Sequence, residues 1–97
     1  MLLAEVALGK QLPRLNADTY LNGDKLKKEK CHSTKGVGKW EPSDSTTVDN
    51  IRIPNGKLHV ASNATSLRYN EHIIYQVNQQ LIRYLVIVKN NGGYGGY

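Results

Sequence analysis

The chain has 97 residues, 39% of them hydrophobic, enough for one small core and too few for two domains. Thirteen Lys and Arg stand against eight Asp and Glu, a net charge of +5, and no apolar run approaches the roughly 20 residues that span a bilayer, so the sequence reads as soluble and basic. Cys31 is the only cysteine, which rules out a disulfide within the chain, leaves a cysteine-based zinc site without its ligands, and suits a reducing compartment.

Residues 1–9, MLLAEVALG, lack a basic leader and place Glu5 where a signal peptide is continuously apolar. They read as a strand. The chain therefore opens inside a structural element, as a fragment would. Residues 10–39 hold the whole basic excess, eight Lys and Arg against three Asp and Glu, and the rest of the chain balances. Pro13, Asn22-Gly23, Gly36 and Gly38 interrupt this stretch, and neither the helical nor the strand period is sustained, which predicts a long surface loop. The cluster from Lys25 to Lys30 could draw a polyanion through phosphate contacts. It carries no aromatic on which bases stack, so a solvated loop is the simpler reading.

After Trp40, Pro42-Ser43-Asp44-Ser45-Thr46-Thr47 is turn and loop material, and Ile51-Arg52-Ile53-Pro54 is a short edge-like strand stopped by Pro54-Asn55-Gly56. Residues 67–76 and 81–88 are rich in β-branched and aromatic side chains, and the four residues between them predict an antiparallel hairpin. The Gly/Tyr-rich tail, residues 90–97, is expected to be disordered. No internal repeat is present.

Strand alternation puts Leu67, Tyr69, Glu71, Ile73 and Tyr75 on one face and Arg68, Asn70, His72, Ile74 and Gln76 on the other. Glu71 thus stands in an apolar row. An unpaired buried carboxylate costs several kcal/mol, so this face opens on a cleft, the charge is paired or at a wet edge, or the group is protonated. A functional carboxylate and a Glu paired with a nearby Lys or Arg both remain open. His72 points away from Glu71, which makes a Glu-His dyad geometrically poor and His72 structural. His32 and His59 read as loop residues, and the histidines and Cys31 show no metal-ligand spacing. Gly36-Val37-Gly38-Lys39 lacks the spacing of a phosphate loop, and the glycosylation sequon Asn63-Ala64-Thr65, without a leader, reads as chance.

Four blocks in this order resemble the C-terminal half of the catalytic domain of poly(ADP-ribose) polymerases of the DNA-damage-responsive nuclear type. They are MLLAEVALG at residues 1–9, HSTKGVGK at 32–39, LRYNEHIIY at 67–75 and LIRYLVIVK at 81–89. The resemblance covers residues 1–89. It implies an α+β domain of ADP-ribosyltransferase fold, mostly antiparallel strands here, that grips NAD+ as substrate and uses no metal. Glu71 falls on the catalytic glutamate of the family's His-Tyr-Glu triad, and Tyr69, Asn70 and Leu8 would flank the acceptor side. On their own residues, Tyr69 also reads as a core aromatic and Leu8 as ordinary strand packing. Transfer of ADP-ribose to protein side chains or to a growing polymer, acceptor proteins as partners, a nuclear location, and DNA contact only through modules beyond these residues are further implications.

The triad's His and Tyr, and the tyrosine that stacks on nicotinamide, belong to the family's preceding half. Residues 1–97 alone are therefore expected to bind NAD+ poorly, to be inactive, and to fold partially or dissolve poorly. The alternative is a noncatalytic basic module in which residues 10–39 contact nucleic acid or poly(ADP-ribose).

Overall fold

A computed structural model describes residues 1–18 and 20–89, so the tail expected to be disordered lies outside the described residues. Among the described residues seven strands form three small sheets: β1 (Leu2–Val6) with β7 (Gln80–Leu85); β2 (Gln11–Arg14), β3 (Ser33–Gly36) and β6 (Glu71–Ile74); and β4 (Trp40–Val48) with β5 (Ile51–Val60). β2 and β3 run parallel; every other strand pair is antiparallel. One short helix, α1 (Gly23–Lys28), is capped by the Asn22 side chain, which accepts from the Lys25 amide at 2.9 Å. No helix among the described residues is long and apolar enough to cross a membrane.

Residues 1–9 supply the expected strand, β1. The hairpin expected from residues 67–76 and 81–88 does not form. β6 pairs instead with β3, and β7 crosses to β1, with Leu2 opposite Leu85 and Val6 opposite Gln80. The cause sits in the connection, where Val77–Gln79 winds into a single 3-10 turn. Gln79 then spends its whole amide on this junction. Its Oε1 accepts from the Tyr75 and Gln76 amides at 3.2 and 3.0 Å, and its Nε2 donates to the Ala7 and His32 carbonyls at 3.1 and 2.9 Å. Four backbone groups from three segments are satisfied by one side chain, so β6 and β7 leave the turn toward different partners.

Residues 10–39 are likewise not one loop, since they contain β2, α1 and β3. Each strand has only four residues, too few to establish a period, and they become strands by pairing with each other and with β6. The segment around Pro42 and Pro54, read as loop and a short strand, is a long two-stranded ribbon carrying His59 within β5. Proline is tolerated because each strand of a two-stranded ribbon has an outer edge whose amides need no partner. At its tip Asp49 and Asn50 both take positive φ, 51° and 64°, the backbone of a tight hairpin turn.

The most buried side chains cluster where α1 meets β3. Leu26 and Cys31 are nearly inaccessible, Ser33 is fully buried with its hydroxyl donating to the Leu8 carbonyl at 2.7 Å, and Thr34 is buried beside it. This knot anchors the central sheet.

Candidate active site

β3 and β6 set the face on which Glu71 stands. Glu71 lies opposite Gly36 and Ile73 opposite Thr34, while His72 and Ile74 lie opposite Lys35 and Ser33 on the other face. The first set lines a cleft of about 410 Å³ together with Leu67 and Tyr75, and Arg14 and Asp18 are its other charged residues. Glu71, Ile73 and Tyr75 therefore share a face as alternation predicts, and Leu67 reaches the same cleft from the segment before the strand. Tyr69 leaves the row, because the strand begins only at Glu71 and alternation does not extend back through residues 67–70.

Among the described residues the ion pairs are Lys35–Glu41, His59–Glu41 and Arg83–Glu5, none of them involving Glu71. The carboxylate is solvent-accessible in a cleft walled partly by Leu67 and Ile73. A charge so placed keeps its hydrogen-bonding capacity for a ligand. On the cleft wall the Thr34 and Tyr75 hydroxyls lie 3.4 Å apart, two polar groups that the sequence pattern did not single out.

His72 takes the opposite face. Its Nδ1 lies 3.0 Å from Gln11 Oε1, and burial, then the nearby Lys35 ammonium, holds its pKa below the usual histidine value. His32, exposed just before β3, accepts from the Lys10 amide through its Nδ1 at 3.0 Å. His59 approaches Glu41 at 3.4 Å.

Of the four residues singled out as a site, only Glu71 lines the cleft. Tyr69 is 51% exposed, bridges Trp40 and has the Arg68 guanidinium 6.0 Å from its ring centroid. Leu8 is half-buried and contributes its carbonyl to Ser33. Asn70 is half-buried and bridges two segments, its Oδ1 accepting from the Gly38 amide at 2.9 Å and its Nδ2 donating to Glu41 Oε2 at 3.2 Å.

The glycines of Gly36-Val37-Gly38-Lys39 serve close approach. A methyl group at Gly36 would come within 2.6 Å of Leu67 Cδ1 and 3.5 Å of Glu71 Cβ, and one at Gly38 would overlap the backbone joining Tyr69 to Asn70. Both places lack side chains because the segment leading into the strand that bears Glu71, residues 67–70, presses directly on them. Glu41 was missed by sequence reading. Its carboxyl is held below the usual carboxylate range chiefly by the Asn70 hydrogen bond, which outweighs the opposing effect of desolvation, with Lys35 and His59 adding smaller contributions in the same direction as Asn70.

A strand-rich α+β domain whose central sheet carries Glu71 into a cleft agrees with the ADP-ribosyltransferase fold, and the chain belongs to the poly(ADP-ribose) polymerase catalytic domain family, whose model matches residues 1–90. It is 42% identical over 94 residues to poly(ADP-ribose) polymerase 1 of Gallus gallus, covering 94% of this chain and 9% of that protein. It is 44% identical over 95 residues to poly(ADP-ribose) polymerase 2-A of Oryza sativa subsp. japonica, covering 94% of this chain and 14% of the relative. With poly(ADP-ribose) polymerase 2 of Homo sapiens the identity is 38% over 97 residues, 94% of this chain and 16% of the relative. The chain thus spans less than a fifth of the length of these relatives.

Proposed function

We propose that this stretch is the C-terminal half, residues 1–89, of the catalytic domain of a nuclear NAD+ ADP-ribosyltransferase, in which Glu71 is the catalytic carboxylate. The observation that carries this reading is the position of Glu71, unpaired among the described residues and lining a partly apolar cleft. The cleft volume of about 410 Å³ falls toward the small end of the roughly 300–1,000 Å³ typical of ligand pockets, so part of a dinucleotide would lodge here and the remainder on residues elsewhere in the domain.

The chemistry asks little of a general acid. Nicotinamide leaves a pyridinium as a neutral molecule, and positive charge grows on the ribose as the glycosidic bond breaks. A fixed carboxylate beside the ribose stabilises that charge, hydrogen-bonds the ribose hydroxyls and aims the acceptor nucleophile, the more so once bound substrate displaces water from the cleft. Glu71 takes these roles. An acceptor side, which receives a protein Asp, Glu or Ser side chain or the end of a growing polymer, is assigned to Tyr69, Asn70 and Leu8 by the family resemblance alone, since none of the three lines the cleft that Glu71 enters. The reaction requires no metal, and DNA would be contacted through other parts of the longer protein.

The test is Glu71→Gln in the longer enzyme. Removing a transition-state interaction of this kind should lower kcat by about 10²-fold or more while KM for NAD+ stays within about threefold. An unchanged kcat, together with salt-dependent DNA binding by residues 10–39, would favour the noncatalytic basic module instead.

A further inference from the structure

We propose that Glu41 is a positioning residue for Glu71, acting through Asn70; the proposal rests on reading Glu71 as the catalytic carboxylate. Asn70 is the residue immediately before β6, so the orientation of its peptide sets the direction in which Glu71 enters the cleft. That peptide is closely confined, because Gly38 packs against the backbone of Tyr69 and Asn70 with no room for a methyl group. Its side-chain amide is committed at both ends, to the Gly38 amide at 2.9 Å and to Glu41 Oε2 at 3.2 Å.

An amide side chain can rotate to exchange its oxygen and nitrogen, and only its partners decide between the two orientations. A backbone N–H requires the oxygen. An ionised carboxylate can only accept, so it requires the NH2 group, and Gly38 and Glu41 select the same orientation. Glu41 is itself held from the other side, with Lys35 Nζ 3.8 Å from Oε2 and His59 Nε2 3.4 Å from Oε1. β3, β4, β5 and the residue leading into β6 thus converge on one carboxylate that never touches the cleft. If Glu41 is lost, Asn70 keeps one anchor of two and the entry to β6 loosens. Small displacements of a reacting group are costly, about 10²-fold for 1 Å, so the effect should appear in turnover and leave NAD+ binding nearly untouched.

The experiment measures steady-state kinetics of the longer enzyme. Glu41→Ala should lower kcat about tenfold with KM for NAD+ within about twofold, and Glu41→Gln, whose amide oxygen still accepts from Asn70, should retain at least about half of kcat. A polarity swap separates positioning from bulk stability. Asn70→Asp keeps the acceptor for Gly38 but sets two carboxylates face to face, and should lose about tenfold; adding Glu41→Gln restores a donor–acceptor pair of reversed sense and should bring kcat back to within about threefold. The swap also decides the matter if Glu41→Ala does not fold. A Glu41→Ala enzyme with kcat within about twofold of the parent, or an Asn70→Asp defect that Glu41→Gln fails to relieve, overturns the proposal. If Glu71→Gln is also without effect, the catalytic reading itself has failed; if Glu71→Gln abolishes turnover while Glu41→Ala does not, only the positioning role has.

Discussion

The central β2–β3–β6 sheet and the β1–β7 ribbon invert the usual distribution of polarity. In the first, Ser33 and Thr34 are buried, and the hydroxyl of Ser33 reaches a backbone carbonyl that would otherwise lack that partner. In the second, Leu2 is 61% exposed, Leu85 is 73% exposed, and Leu3, Leu81, Ile82 and Tyr84 are also substantially uncovered. The sheet carrying Glu71 is held by hydrogen bonds aimed at particular groups and by close backbone contacts, which position a side chain in one direction. The ribbon offers non-directional apolar area that any complementary surface would cover, and among the described residues the tip of the β4–β5 ribbon approaches it while leaving most of it exposed.

Glycine substitution is the strongest way to break this contrast. Gly38→Ala places a methyl group into the backbone between Tyr69 and Asn70, which cannot swing aside as a flexible side chain would. The expected cost is about 3 kcal/mol of stability, read as a lower denaturation midpoint of the longer enzyme, with kcat falling as well because the same backbone leads to Glu71. A wild-type midpoint would mean that the two segments are not in contact. On the ribbon, Leu85→Lys in the isolated 97-residue chain should cost less than about 0.5 kcal/mol and raise the soluble fraction, since the side chain it replaces is already largely in water. In the longer enzyme the same substitution should cost several-fold more if another segment covers the ribbon there.

The smallest effect is a pH dependence. Burial and Lys35 depress the His72 pKa in the folded chain, so the unfolded chain takes up a proton at a higher pH than the folded one does. The contribution is fully present above the unfolded value, about 6.5, and is lost as pH falls from there toward the depressed folded value. His72→Gln should flatten the midpoint–pH curve in that window and leave it unchanged above pH 7.5 or so. Glu41 has the same sign at lower pH, as its depressed carboxyl adds stability that fades once acid protonates it.

Much of the candidate site was legible. Alternation identified Glu71 as a carboxylate among Leu67, Ile73 and Tyr75, and the four of them line one cleft. Position on a strand face follows from covalent geometry alone, and a run of β-branched residues is enough to invoke it. The strand's length was overestimated, because an apolar run does not say where pairing ends, and Tyr69 was carried onto the wrong face with it. The Gly36 and Gly38 pattern was visible but had no interpretation until the backbone against it was placed. Glu41 gave no signal, since an acid among Trp, Pro and Ser in a loop-like segment is indistinguishable from a solvated one.

What the amino-acid order decided unaided was local: a strand within residues 1–9, observed as Leu2–Val6, a strand near residues 81–88, observed as Gln80–Leu85, the face Glu71 takes, and the family to which the blocks belong. Partner choice belonged to the tertiary structure. Whether β6 pairs with β7 or with β3 depends on the amide of Gln79 reaching Ala7 and His32, contacts that span 72 and 47 positions. Short-range preference constrains a residue through its own backbone, whereas pairing is settled by which distant hydrogen-bonding groups can all be satisfied at once.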